Sequence, residues 1–206
     1  MVRTSLFSAF YFGSVEHYAL LACSERIIID VGEHYERQSY RTRTSIIGPN
    51  GKQDLVISIA RRSGEKMPMR SVGLSYVEPW HLQHIQALRS AYGQTPWFIH
   101  YMPDIEELLL KRYDKLIDLD LATMHLAMKW LGITCTVEVR ETFVEELEGL
   151  TDHRNDLHPK KALPAGIERV PPYTQVFADR HGFVGRLSIV DLVMNAGPQA
   201  RSVLGR

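Results

Sequence analysis

Ile27-Ile28-Ile29, ending at Asp30, is the stretch that most narrows what this chain can become. Three β-branched side chains in succession leave no polar face. The strand they predict is therefore covered on both sides, as in a parallel sheet with helices packed above and below. Upstream, Thr4 to Phe10 reads as a strand, and Ser14 is placed to cap a short helix running to about Cys23. The opening thus predicts β-α-β, the connection that parallel strands require.

Further along, Thr42 to Ile47 and Gln53 to Ile59 flank Gly48-Pro49-Asn50-Gly51. They predict a hairpin whose tight turn draws its positive φ values from Asn50-Gly51. Leu55, Ile57 and Ile59 fall on one face, and Ser71 to Tyr76 predicts another strand. Pro79 suits a first helical position, with the helix running to Tyr92 before Gly93. Asp104 and Glu107 form a capping pair ahead of Leu108, Leu109 and Leu110. Asp114 can cap the next helix, where Ile117, Leu121, Met124, Met128 and Leu131 recur at helical spacing up to Gly132. Thr134 to Val139 alternates as a strand, and Thr142 to Leu150 predicts a short acidic helix. Residues 151–172 break the regularity. Tyr173 to Phe177 then predicts a strand, and Leu187 to Asn195 a closing helix stopped by Gly197-Pro198. The expected fold is α/β: a single domain over residues 1–206, its largely parallel or mixed sheet flanked by helices, with a β-hairpin carrying a basic patch. Ligands of such sheets gather beyond the carboxyl ends of the strands, which puts the expected crevice near Asp30 and Tyr76.

Composition excludes several classes. With 206 residues, 45% of them apolar, the chain can bury a core and is not a disordered one. No apolar run approaches the roughly 20 residues that span a bilayer, and Met1 to Phe12 lacks the layout of a signal peptide. Cys23 and Cys135 offer no disulfide framework, and an inert buried thiol is the expected state of each. A soluble, cytoplasmic protein is expected. The 24 Lys+Arg balance the 24 Asp+Glu, but unevenly along the chain. From Arg37 to Arg70, eight basic residues, among them Arg61, Arg62 and Lys66, face only Asp54 and Glu65. From Glu138 to Asp152, six acids, Glu146 and Glu148 included, face only Arg140. An anion is drawn to the first segment and repelled by the second.

Catalytic signatures are mostly missing. There is no Gly-x-Gly-x-x-Gly, complete phosphate loop, Gly-x-Ser-x-Gly or His-Glu-x-x-His. Gly48-Pro49-Asn50-Gly51-Lys52 imitates the end of a phosphate loop but joins two strands, so it lacks the helix-directed amides such a loop uses. His81 with His84, and His153 with His158, have no third ligand nearby, and no metal site is expected. Two groupings stand out. Arg41 and Arg43, with Lys52, Tyr35 and Tyr40, can grip a phosphate or carboxylate if both arginines project from one strand face. The plain alternative is edge-strand arginines that deter pairing. Trp80 and His84, four apart on a helix, can hold a sugar ring or base and move a proton. The plain alternative for Trp80 is packing.

Several stretches carry a resemblance. Tyr11-Phe12, Glu33-His34-Tyr35, Gln38 to Arg43, Asn50 to Gln53, Trp80 to Tyr92, Leu157 to Lys160, Tyr173 with Gln175 to Phe177, and above all Leu187 to Pro198 resemble the WbqC-like family of bacterial proteins. Where that family often reads Arg-Asn-Arg, this chain has Arg41-Thr42-Arg43. The resemblance implies a place in surface-polysaccharide (O-antigen) biosynthesis, with transfer of a glycyl or related acyl group to a sugar. The donor would be anionic, an adenylate or a charged tRNA, and the acceptor a sugar or nucleotide sugar. Arg41, Arg43 and Lys52 would bind phosphate, and His84 would act as base. Trp80 would stack on the acceptor, with Asp191 or His158 orienting it. No cofactor is indicated. The competing reading is a non-catalytic sugar- or partner-binding accessory of polysaccharide assembly.

Overall fold

The computed structural model describes residues 3–60, 66–145, 149–167 and 170–205. Thr4–Phe7 (β1) leads through helix Val15–Ala22 (α1) to Arg26–Asp30 (β2), and the strands pair in parallel with Phe7 opposite Ile29. All three isoleucines are buried, as a strand covered on both faces requires. β1 is shorter than the sequence pattern. The chain leaves the sheet after Phe7 and turns at Tyr11-Phe12, where Phe12 sits at φ 41° and its N–H donates to Thr123 Oγ1 at 3.1 Å.

The hairpin joins Arg43–Gly48 (β3) to Gly51–Val56 (β4). Gly48 pairs with Gly51, so the central turn residues are Pro49 and Asn50, not Asn50 and Gly51. Pro49 holds its own φ near about −65°, and of the turn residues only Gly51, at φ 108°, takes the positive value. The pattern expected to run to Ile59 breaks after Val56. Ile59–Ala60 (β5) pairs instead with Gly73–Leu74 (β6), which is all that forms of the strand expected at Ser71 to Tyr76.

Three helices follow: Trp80–Tyr92 (α2), Phe98–Leu110 (α3) and Leu116–Leu131 (α4). α3 begins well before the capping pair that was expected to start it and carries Pro103 inside. Asp104 is therefore mid-helix, and its Oδ2 accepts from Trp130 Nε1 at 3.0 Å, tying α3 to α4. The apolar stripe of α4 is buried apart from half-buried Leu121, and Gly132 ends the helix at φ 60°.

Thr136–Arg140 (β7) and Thr151–Asp152 (β8) complete a four-stranded parallel sheet in the order β7-β2-β1-β8. The acidic helix expected from Thr142 is irregular through Glu145, while Glu146 and Glu148 lie outside the described residues, as do Arg61, Arg62 and Glu65. Tyr173 to Phe177 is irregular rather than a strand and enters the short helix Ala178–His181 (α5). Ile189–Ala196 (α6) is capped by Ser188, whose Oγ accepts from the Val190 N–H at 3.3 Å, and Ala200–Val203 (α7) ends the described chain. One apolar cluster joins Ile27 and Ile29 of the sheet to Trp80, Met124 and Leu192 of the helices. Among the described residues no helix is long and apolar enough to cross a membrane.

Candidate functional site

The strand order reverses direction between β1 and β8, the switch point beside which α/β sheets place ligands. Here that point is filled by the protein's own charges. Ser8, just past β1, donates to Glu33 Oε2 at 2.9 Å and accepts from Arg41 Nη2 at 2.7 Å. Arg41 also donates to both oxygens of Glu33, at 3.0 and 2.7 Å. Asp30, fully buried at the end of β2, accepts from the N–H groups of Gly32, Glu33 and Val144 and from Arg154 Nη1 at 2.6 Å. Arg154 in turn grips Asp152. Burial pushes the Glu33 carboxyl up, against the pull of Arg41. Every partner is matched, so the network fastens the loops over the strand ends. Asp30, at the expected crevice, is itself taken up by these contacts among the described residues. Tyr76, the other expected edge, stacks on Trp80 and its hydroxyl accepts from the Tyr113 N–H at 3.0 Å.

A hollow lies on the other side of residues 33–43. Tyr35, Thr42 and Arg43 line a cavity of about 620 Å³ together with Arg37, Gln38, Val56, Ser58, Lys66 and Met67. Residues 33–42 lie outside any named strand, so the two-residue alternation that would keep Glu33 with Tyr35 and Arg41 with Arg43 does not hold. Glu33 and Arg41 meet at the switch point, while Tyr35 and Arg43 line the cavity. The lining holds three cations and no carboxylate among the described residues. Arg43 stands 3.5 Å from Asp54 at one edge, and its Nε is buried without a hydrogen-bond partner among those residues. A buried guanidinium N–H lacking a partner is a donor available to an incoming oxygen. Gln38, at the mouth, is held at φ 58°, a strained conformation for a side chain that is not glycine.

The remaining expected residues are dispersed. Arg41 precedes β3 instead of sharing its face with Arg43, and its donors are taken by Glu33 and Ser8. Lys52 pairs across from Ile47, about 13 Å along the strand from the cavity wall at Val56, given roughly 3.3 Å per residue. Tyr40 is buried against Phe10. Trp80 is 2% exposed, and its indole N–H donates to the Ser75 carbonyl at 2.9 Å. His84 lies behind the cavity wall. Its Nε2 donates to the Val56 carbonyl at 3.2 Å, which leaves Nδ1 to accept from the Tyr11 hydroxyl at 3.0 Å. Burial lowers its pKa to about 4, so it stays neutral near pH 7. Asp191 is fully buried and receives Tyr92, Tyr173, Gln175 and Asn195 as donors. His158 reaches the cavity's neighbourhood: its Nδ1 accepts from the Lys160 N–H at 3.1 Å, and its Nε2 lies 4.0 Å from Glu36. Burial lowers its pKa, opposed by Glu36 and assisted by Lys161, Lys160 and Arg186.

Arg37 and Lys66 belong to the basic run that the charge count marks, but nothing in their spacing singles them out as lining. Of the switch-point pairs, Asp30 with Arg154 is long-range, and Glu33 with Arg41, eight residues apart, follows no helical or strand period, so neither leaves a local signature. Among the described residues, no three His, Cys, Asp or Glu side chains gather to hold a metal ion.

Comparison with known proteins adds a family and nothing finer. No curated protein and no solved structure matches the chain. The WbqC-like protein family matches residues 10–161, a span that takes in β2 to β8, the switch-point network apart from Ser8, and the described lining of the basic cavity. The chain belongs to the WbqC-like protein family.

Proposed function

We propose that the protein transfers a glycyl or related acyl group from an anionic activated donor to a sugar in surface-polysaccharide biosynthesis, and that the basic cavity holds the phosphate end of a substrate. The observation that carries this reading is the cavity of about 620 Å³, lined by Arg37, Arg43 and Lys66 with the hydroxyls of Tyr35, Thr42 and Ser58. Its size is that of small-molecule sites. In acyl transfer from a phosphate, the acceptor's lone pair bonds to the acyl carbon as the carbon–oxygen bond to phosphate breaks. The phosphate leaves with the electron pair. Where the donor's phosphate is the one in the cavity, a guanidinium beside it stabilises the charge that develops there. His84 and Asp191 are closed into buried hydrogen bonds, so the departing phosphate is the group placed to take the acceptor's proton. His158 serves by fixing the loop that carries Lys160.

The same closure of His84 and Asp191 favours a second reading, a sugar- or partner-binding accessory without chemistry. Incubating the protein with glycyl adenylate and an amino-sugar nucleotide separates the two: transfer adds one glycyl mass to the sugar, whereas an accessory leaves both reactants intact. The cavity itself is tested by titrating inorganic phosphate. Replacing both Arg37 and Arg43 with Ala should weaken binding at least about tenfold, since each charged hydrogen bond contributes roughly 1.5–3 kcal/mol. Unchanged affinity would remove the cavity from consideration.

A further inference from the structure

We infer that the cavity accepts a ligand with two adjacent anionic groups, a diphosphate ester, and that Lys160 meets the second group at the rim. This rests on the anion-binding reading of the cavity, but not on which substrate fills it. Part-buried Arg43 lines the cavity, and Arg37, Gln38 and Lys66, all exposed, line it at its open mouth. Lys160 Nζ donates to Gln38 Oε1, which sets an ammonium group beside that mouth. Its partner there is a neutral amide. Neighbouring Lys161 instead has a carboxylate, Glu36, at 3.9 Å, while Lys160 has none among the described residues. An ammonium on a neutral acceptor gains by moving to an anionic one, because the contact then adds the attraction between two opposite charges.

The backbone that presents Lys160 is fastened on both sides. Arg186 donates to the carbonyls of His158, at 2.5 Å, and Lys161, at 2.6 Å, while the Lys160 N–H donates to His158 Nδ1 at 3.1 Å. Both Arg186 and Gln38 hold positive φ, at 61° and 58°. Two strained residues thus bracket the contact between Lys160 and the mouth, as happens where a fold fixes a group for a ligand. A loop held this way loses little further entropy on binding.

Phosphate count separates the substrate classes. An acyl adenylate carries one phosphate between acyl group and ribose. A nucleoside diphosphate sugar carries two in tandem, and so does an isoprenoid diphosphate sugar. Arg43 within the cavity and cations around its open mouth, Lys160 among them, fit the tandem arrangement, which is the chemistry of an activated sugar.

Calorimetric titration of the full chain with inorganic phosphate and with pyrophosphate tests this. Pyrophosphate should bind about tenfold tighter than phosphate, and in Lys160→Ala that ratio should fall by about tenfold. In Lys161→Ala, where the cation already has Glu36, the ratio should hold within about twofold. UDP-glucose and geranyl diphosphate then distinguish the sources: tighter binding of the first than of pyrophosphate assigns a nucleotide sugar, and of the second an isoprenoid carrier. Phosphate binding with no gain for pyrophosphate, or a ratio that survives Lys160→Ala, overturns the inference and leaves the cavity reading standing. Binding of neither ion overturns both.

Discussion

Arg41 and Glu33 clasp each other through two hydrogen bonds in a place where their side chains are 3% and 7% exposed. Ser8 completes the group from the end of β1. Removing one partner of a buried pair strands the other, so Arg41→Ala should lower stability by about 3–5 kcal/mol. Urea unfolding reads that loss. A double substitution with Glu33→Ala should be less damaging than the sum of the singles, because no charge is then left unpaired. If Arg41→Ala instead kept native stability while losing phosphate affinity, Arg41 would return as a ligand-binding residue.

Asp191 organises the C-terminal part of the chain in a similar way. Tyr92 donates to Oδ1 at 2.8 Å, with Asn195 on the same oxygen at 3.4 Å, while Tyr173 and Gln175 donate to Oδ2 at 2.6 and 2.9 Å. Burial pushes this carboxyl up, and its donors pull it back. Asp191→Asn preserves the shape, yet whichever way the amide is turned its NH₂ faces donors. The loss should be about 2–4 kcal/mol, with faster amide exchange through residues 173–177, because leaving buried donors unmatched costs roughly 1–3 kcal/mol each.

Much of the architecture was legible because it follows from local chemistry. The isoleucine run, the Gly132 stop and the α4 stripe depend on neighbours in sequence, and all three read correctly. Tyr173 to Phe177 misled for an instructive reason. Tyr173 and Gln175 alternate as strand residues do, but their side chains bind one carboxylate on α6, and their backbone enters no ladder. The site was harder to read. The basic run marks Arg37, Arg43 and Lys66 as a group, but which arginine faces solvent and which faces Glu33 depends on a partner eight residues away that no period announces.

Gly197, between α6 and α7, has φ 56°, and a Cβ built there would fall 2.2 Å from the Trp97 indole. An indole packed against backbone cannot yield by that much. Gly197→Ala therefore combines overpacking, about 1–3 kcal/mol, with an unfavourable backbone conformation of about 1–2 kcal/mol. A thermal midpoint lowered by several degrees is expected, whereas Gly149→Ala, with positive φ but open space around it, should lose only the backbone part.

His84 gives the fold a defined response to acid. Its pKa is lowered from 6.5 to about 4, chiefly by burial, with the Val56 carbonyl partly opposing and His81 adding to the shift. Between those values the unfolded chain binds a proton that the folded one refuses. Stability therefore falls as pH drops from about 6.5 towards 4 and loses nothing further below, for a total of roughly 3 kcal/mol from this group. His17, lowered to about 3, acts in the same direction, while the raised carboxyls of Glu33 and Asp191 act oppositely. The His84 part is isolated by difference. His84→Gln keeps a donor for Val56 and an acceptor for Tyr11 but does not titrate, so its stability should fall less steeply than wild type, by about one proton, between pH 6.5 and 4.5. Equal slopes in urea unfolding across that range would mean that the imidazole is solvated and free to take a proton, which would make it available again as a general base.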